Sequence, residues 1–148
     1  MKKFSFRLER VLRFKAQIEE QKKLLLGERN VILNKEKNLL AGLFDKKTRY
    51  MEIYSSLFQG KIDIRGLKSA HSYVNKVKED ISTQGRQVVK AEKHVEDAKI
   101  EVRDSMRDRK KYDNLKTRKH KEYDFDAGKA EQKEIDEIAS RTWKRIFP

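Results

Sequence analysis

Nine basic side chains crowd into residues 103–121: Arg103, Arg107, Arg109, Lys110, Lys111, Lys116, Arg118, Lys119 and Lys121. Only Asp104, Asp108 and Asp113 offset them, a net of +6. The first residues repeat the theme with Arg7, Arg10, Arg13, Lys15, Lys22 and Lys23. The chemistry such clusters offer is attraction of anions: nucleic acid, an anionic membrane surface or an acidic protein face. A solvating coat of charge is the alternative reading of the formal net charge of +13.

Chemistry of other kinds is missing from the pattern. His71, His94 and His120 are too far apart for two of them to share a helical turn, so no metal pair forms at i, i+3 or i, i+4. No cysteine is present, which removes disulfides and thiolate metal sites. Neither a P-loop nor a G-x-G-x-x-G occurs. Acidic pairs abound, but on helix faces they read as solvated charge and not as an acid/base dyad. No cofactor and no enzymatic activity are expected.

The elements that carry these residues are helices. Charged residues make up 41% of the 148-residue chain, against about 25% in ordinary domains. The hydrophobic share of 36% is too thin for a globular core but sufficient for a seam between two helices. The single proline is the last residue, Pro148, so none interrupts a helix. No apolar run approaches the roughly 18 residues that span a bilayer, and Met1-Lys2-Lys3 is not followed by the apolar core of a signal peptide.

Apolar residues recur every seventh position from the start. One line runs Val11, Ile18, Leu25, Ile32, Leu39, Lys46 and Ile53. A neighbouring line runs Leu12, Glu19, Leu26, Leu33, Leu40, Lys47 and Tyr54, with Leu43, Tyr50 and Leu57 at the second seam position. After residue 66 the pattern resumes with Val74, Ile81, Val88, Val95 and Val102, and with Ala70, Val77, Gln84, Ala91, Ala98 and Ser105 between them. A seven-residue period sustained this long is the signature of a coiled coil. Ser5 is the expected cap of the first helix.

Gln59 to Gly66 separates the two lines and holds Gly60 and Gly66. Glycine costs roughly 1 kcal/mol inside a helix, so this is the cheapest place to break one. Asp63 can cap the helix that follows. The fold predicted is therefore all-α: a long antiparallel two-helix coiled-coil hairpin, treated as one domain over residues 1–148. Its first arm is about 5–58, its bend about 59–66 and its second arm about 67–147. Facing residues with a constant number sum of 127 align the first apolar line with the second arm, pairing Leu39 with Val88 and Ile53 with Val74. Both arms are then basic at the end away from the bend.

Residues beyond Tyr123 overhang in this register. They turn acidic and then amphipathic, with Ile135, Ile138, Ala139, Trp143 and Ile146 on one face. Gly128 is a possible kink. The tail either docks on a partner or folds back on Phe4, Phe6 and Leu8.

The opening Phe4-Ser5-Phe6-Arg7-Leu8-Glu9-Arg10-Val11-Leu12 resembles the F-x-F-x-L-x-x-V-L start of the flagellar export FliJ family. Glu131-Gln132-Lys133-Glu134-Ile135-Asp136-Glu137-Ile138-Ala139 is similar to that family's E-Q-K-x-x-D-E-x-A ending. Length, basic charge, the mid-chain bend and two heptad arms agree over the whole chain. The resemblance implies a non-enzymatic stalk, similar to the central stalk of rotary ATPases. Such a stalk inserts into a hexameric export ATPase (FliI-like) and links it to an export-gate protein (FlhA-like) and to export chaperones. For ATPase binding, the basic residues Arg7, Arg10, Arg13, Arg109, Lys110 and Lys111 and the tail residues Ile135, Ile138 and Trp143 are the candidates. For the gate and chaperones, the resemblance carries over to Leu43, Tyr50, Tyr73, Val77 and Gln84. Lys46 stands where an aromatic can occur and Asp80 where a small residue can. Seam packing is the alternative role for the apolar positions.

The expected setting is the cytoplasm, peripherally at the inner-membrane face of the export apparatus, with the free chain a monomer. The competing reading is a basic coiled-coil nucleic-acid-binding or scaffold protein. Against it, no recognition motif is present and aromatics are not interleaved with the basic run, as base stacking needs. No nucleic acid is therefore expected, and at most a peripheral contact with membrane.

Overall fold

A computed structural model describes residues 3–146, with side chains through 143. It is a helical hairpin of two elements, α1 (Glu9–Ser56) and α2 (Ile64–Ile146). Among the described residues there is no strand, and no helix is long and apolar enough to cross a membrane. The chain divides into two compact parts: a bend part, Gln21–Arg103, and a terminal part formed by Met1–Glu20 and Asp104–Pro148.

The bend forms where the sequence is poorest in helix formers. Backbone N–H groups of Leu57, Phe58 and Gln59 close the last turn onto Ile53, Tyr54, Ser55 and Ser56 carbonyls. Gly60 then adopts φ 87°, a left-handed conformation that side chains disfavour. Asp63 caps α2 as expected: its Oδ1 accepts from the Arg65 N–H at 3.0 Å and its carbonyl from the Leu67 N–H at 3.0 Å. A Cβ at Gly66 would stand 3.0 Å from Asp63 Oδ2, so the second glycine leaves room for the capping carboxylate. Gly128 makes no break, because α2 runs through it.

In the bend part, α2 buries Val74, Val77, Val88, Ala91, Val95, Ala98 and Val102. The α1 side is set differently from the expectation. Ile32, Leu39 and Ile53 are 44%, 50% and 50% exposed, so their line lies on the flank. The seam is the neighbouring line, Leu26, Leu33, Leu40, Lys47 and Tyr54, alternating with Lys22, Arg29, Glu36, Leu43, Tyr50 and Leu57, all half-buried. Facing pairs follow suit. Their numbers sum to 123 for Tyr50–Tyr73 and Lys22–Glu101, 125 for Tyr54–His71, 120 for Glu36–Gln84 and 129 for Lys37–Glu92, a mean of 124 and not 127. The reason is chemical. Lysine and glutamate are long enough to lie across the seam and end on a partner, so polar seam positions cost little. Lys22 Nζ reaches Glu101 Oε2 at 2.6 Å, and Gln84 Nε2 donates to the Glu36 carbonyl at 3.1 Å and to its carboxylate at 2.5 Å.

In the terminal part the buried residues are Leu12, Glu19 and Ser105. Helix α1 starts at Glu9 and not after Ser5. The Glu9 N–H donates to the Phe6 carbonyl at 3.1 Å, closing a turn before the helix. Phe4 packs on α2 instead, its ring centroid 4.7 Å from His120 and 5.5 Å from Tyr123. Extended residues advance about 3.3 Å each against 1.5 Å in a helix, which is how Phe4 reaches Tyr123 although the seam register alone would leave it short.

Candidate interaction surfaces

Among the described residues no three His, Cys, Asp or Glu side chains converge to hold a metal. What the chain offers is surface, and the surface falls into three places.

The first is the basic face of the terminal part. Arg7, Arg10 and Lys110 are exposed. Arg13 is also exposed, with its Nε 3.8 Å from Glu9 Oε1. Lys111 Nζ donates to Asp108 Oδ1 at 3.2 Å, while Lys15 approaches the other oxygen at 3.6 Å. Those cations, Lys111 first, hold the Asp108 carboxyl below its usual range. Arg109 stands apart. Its Nε donates to Glu19 Oε2 at 2.5 Å, and its Nη1 bonds Asp113. Glu19 is a buried carboxylate with its side chain 5% exposed, and it raises the guanidinium pKa still further, with Asp113 adding to the effect. Arg109 is thus a seam residue as well as a member of the basic run. Lys116 bridges back to Glu9 at 2.8 Å.

The second is the tail. Every described side chain from 128 to 143 is exposed, and α2 continues as helix instead of folding back on Phe4, Phe6 and Leu8. Ile135, Ile138 and Trp143 are 54%, 65% and 67% exposed. Ile146 lies beyond the described side chains. Near the tail's root, Phe4, Phe6, Leu8, Leu115 and Tyr123 line a groove of about 750 Å³ that sequence reasoning missed. The two phenylalanines stood out as a motif and as a landing place for the tail, but nothing in helical periodicity places residues that precede the helix.

The third is the bend part. Its gate and chaperone candidates are mostly in the seam. Val77 is 3% exposed, Gln84 bonds Glu36, and Leu43 is half-buried. Tyr50 and Tyr73 face each other with ring centroids 4.0 Å apart. Donation of the Tyr50 hydroxyl to Tyr73, and the negative charge of Tyr73 when ionised, push the Tyr50 hydroxyl pKa up. Tyr73 keeps 40% of its surface exposed.

The Flagellar FliJ protein family model matches residues 4–146. CT670 from Chlamydia trachomatis, described as a YscO homolog, has a solved structure similar to this one at a TM-score of 0.69 and 20% identity, covering 93% of this chain and 94% of its own. That likeness is one of fold. No curated protein sequence matches.

Proposed function

This chain belongs to the flagellar FliJ family of type III export components, and from that premise we propose that it is the export ATPase's non-enzymatic stalk. In this reading the terminal part docks on the hexameric ATPase. The bend part serves the export gate and the export chaperones, at the cytoplasmic face of the inner membrane. One observation carries it: the amphipathic end of α2 presents Ile135, Ile138 and Trp143 to solvent, in the same part of the chain as a face rich in arginine and lysine. Ile135 and Ile138, open to solvent on a helix end, add little stability to the chain itself, and a partner is their natural use. The basic face supplies long-range attraction and the tail supplies the contact. Arg7, Arg10, Arg13, Lys110 and Lys111 are the steering residues. Arg109 contributes charge while also holding Glu19. Of the gate and chaperone positions, Tyr73 is the one offered most openly, whereas Val77 and Gln84 act by keeping the seam beneath it in register.

Deletion of residues 132–148 tests the reading. The melting temperature should stay within about a degree, because the deleted described side chains are all exposed. Binding to the purified ATPase, in the presence of nuclease, should fall at least tenfold, about 1.4 kcal/mol. Full binding by the truncated chain overturns the role of the tail. Binding that vanishes with nuclease treatment of the wild type favours nucleic acid as the partner.

A further inference from the structure

Between Glu52 and Glu79 the chain carries five cations, Lys61, Arg65, Lys68, Lys76 and Lys78, and a single carboxylate, Asp63. At the chain's average density, 24 acids in 148 residues, about four would fall in such an interval. Asp63 is already engaged, its Oδ1 accepting from the Arg65 N–H at 3.0 Å where α2 starts. All five cations are exposed, and among the described residues none ends on a carboxylate. The terminal part differs. There Lys15 and Lys111 meet Asp108, Arg109 meets Glu19, Lys116 meets Glu9 and Lys119 meets Glu122. Around the bend, positive charge is left without that local compensation.

The same stretch projects apolar side chains. Every residue from Phe58 to Arg65 is exposed, and Phe58, Ile62 and Ile64 are open by 52%, 57% and 77%. From there, Arg65, Lys68, Ser69, Ser72 and Lys76 follow at helical spacing on the side of α2 away from the buried Val74 and Val77. No acid interrupts that stripe, and its last four residues line a shallow groove of about 470 Å³. Ammonium, guanidinium and hydroxyl groups are the donors that phosphate oxygens accept from.

The chemistry names the occupant. Isoleucines on a convex turn need an apolar medium that yields around them, and the uncompensated cations beside them need an anionic surface. An anionic bilayer supplies both, with headgroup phosphates lying over acyl chains. Nucleic acid supplies phosphates but gives aliphatic side chains nothing to stack on. We infer that the bend is a membrane-contacting tip: Phe58, Ile62 and Ile64 enter the boundary between headgroups and acyl chains of an anionic bilayer, while Lys61, Arg65, Lys68 and Lys76 lie on its phosphates. The stripe from Arg65 to Lys76 spans about 16 Å, and surface attraction fades within about 8 Å, so α2 must lie inclined to the membrane for Lys76 to take part. Glu79 and Asp80 end the contact by reversing the sign. Binding is reversible, because a few shallowly inserted side chains fall far short of a spanning helix.

Flotation of the full chain with lipid vesicles tests this with no other protein present. Vesicles of phosphatidylcholine mixed with phosphatidylglycerol should carry the chain, and phosphatidylcholine alone should not. Binding should weaken as salt rises. Ile62→Ser with Ile64→Ser keeps the charge and should lower binding about fivefold. Lys61→Gln, Arg65→Gln and Lys68→Gln together should lower it at least about tenfold. Arg7→Gln, Arg10→Gln and Lys110→Gln together should leave most of it, which separates the bend from the basic face of the terminal part. Circular dichroism of each variant checks that the helices are intact. The chain has no native cysteine, so Ile62→Cys can carry a single polarity-sensitive dye. Its emission should shift to the blue on the anionic vesicles, while the same dye at Asn34→Cys should not shift. Equal binding to both kinds of vesicle, binding that survives the bend variants, or an unshifted dye at residue 62 would each overturn the inference. So would a chain that ignores anionic vesicles and uses Ile62 and Ile64 to hold an acidic protein instead. No ATPase takes part in the assay, so failure here leaves the stalk role standing.

Discussion

Arg109 Nε and Glu19 Oε2 lie 2.5 Å apart across the seam of the terminal part, joining a half-buried cation to a carboxylate whose side chain is 5% exposed. A charge in so enclosed a place is tolerated only when it is paired and hydrogen-bonded. The pair therefore fixes which residues of the two helices face each other more than it adds stability.

The first prediction follows from that asymmetry. Arg109→Ala should lower the melting temperature clearly more than Lys110→Ala, because only the former strips a buried carboxylate of this partner. Replacing both members, Glu19→Leu with Arg109→Leu, should recover most of the loss. Thermal melts followed by circular dichroism compare the four chains. Equal effects at Arg109 and Lys110 would remove Arg109 from the seam.

The register is tested by two adjacent leucines. Leu40→Asp, at a half-buried seam position, should cost about 2–3 kcal/mol. Leu39→Asp, at a position 50% exposed, should cost within about 0.5 kcal/mol. The reverse order in denaturant titrations would restore the sum of 127.

The basic face should be felt through salt. Reversing Arg7, Arg10 and Lys110 to Glu leaves the Glu19 pair untouched, so helicity should persist while ATPase association slows several-fold. Wild-type binding should also weaken as salt rises, since charges farther apart than about 8 Å are screened at physiological ionic strength. Binding indifferent to both changes would dismiss electrostatic steering.

The Tyr50 hydroxyl pKa lies above its ordinary value because Tyr50 donates its proton to Tyr73, whose phenolate would repel its own. A raised folded pKa means the contribution to stability is complete below the unfolded pKa of about 10 and is lost as pH climbs through the folded one. Tyr73→Phe should bring the tyrosine absorbance titration of Tyr50 down toward 10 and make alkaline unfolding less steep. An unaltered titration would show that the two rings do not share a hydrogen bond.

Glycines separate two kinds of backbone. Gly60→Ala forces a side chain into φ 87° and should cost about 1 kcal/mol. Gly128→Ala lies in helical backbone with open space around its Cβ and should raise tail helicity, gaining about 0.5–1 kcal/mol locally. Urea titration and far-UV circular dichroism read the two effects.

The hairpin was legible because its signals are local and strong. Two glycines flank an aspartate between long heptad runs, and Asp63 caps α2 where its position suggested. The valine and alanine line of α2 was equally plain. The α1 seam was not, because apolarity favoured Leu39 over Glu36, and only the partner helix shows that the Glu36 carboxylate has Gln84 to meet. Arg109 was read as surface for the same reason: its counter-ion, Glu19, is ninety residues away in sequence. Phe4 was placed near Tyr123, but through an extended lead-in that no periodicity describes. The tail's exposure was anticipated from its overhang.

Among the described residues, no large side chain is fully enclosed; the seam is built from valine, alanine and chains half open to water. Its thermal consequence concerns heat capacity. Unfolding such a molecule exposes little new apolar surface per residue, so ΔCp should fall below the about 12–15 cal/mol/K per residue of globular domains. A small ΔCp flattens the stability curve. The hairpin should then melt gradually, yet lose little stability on cooling.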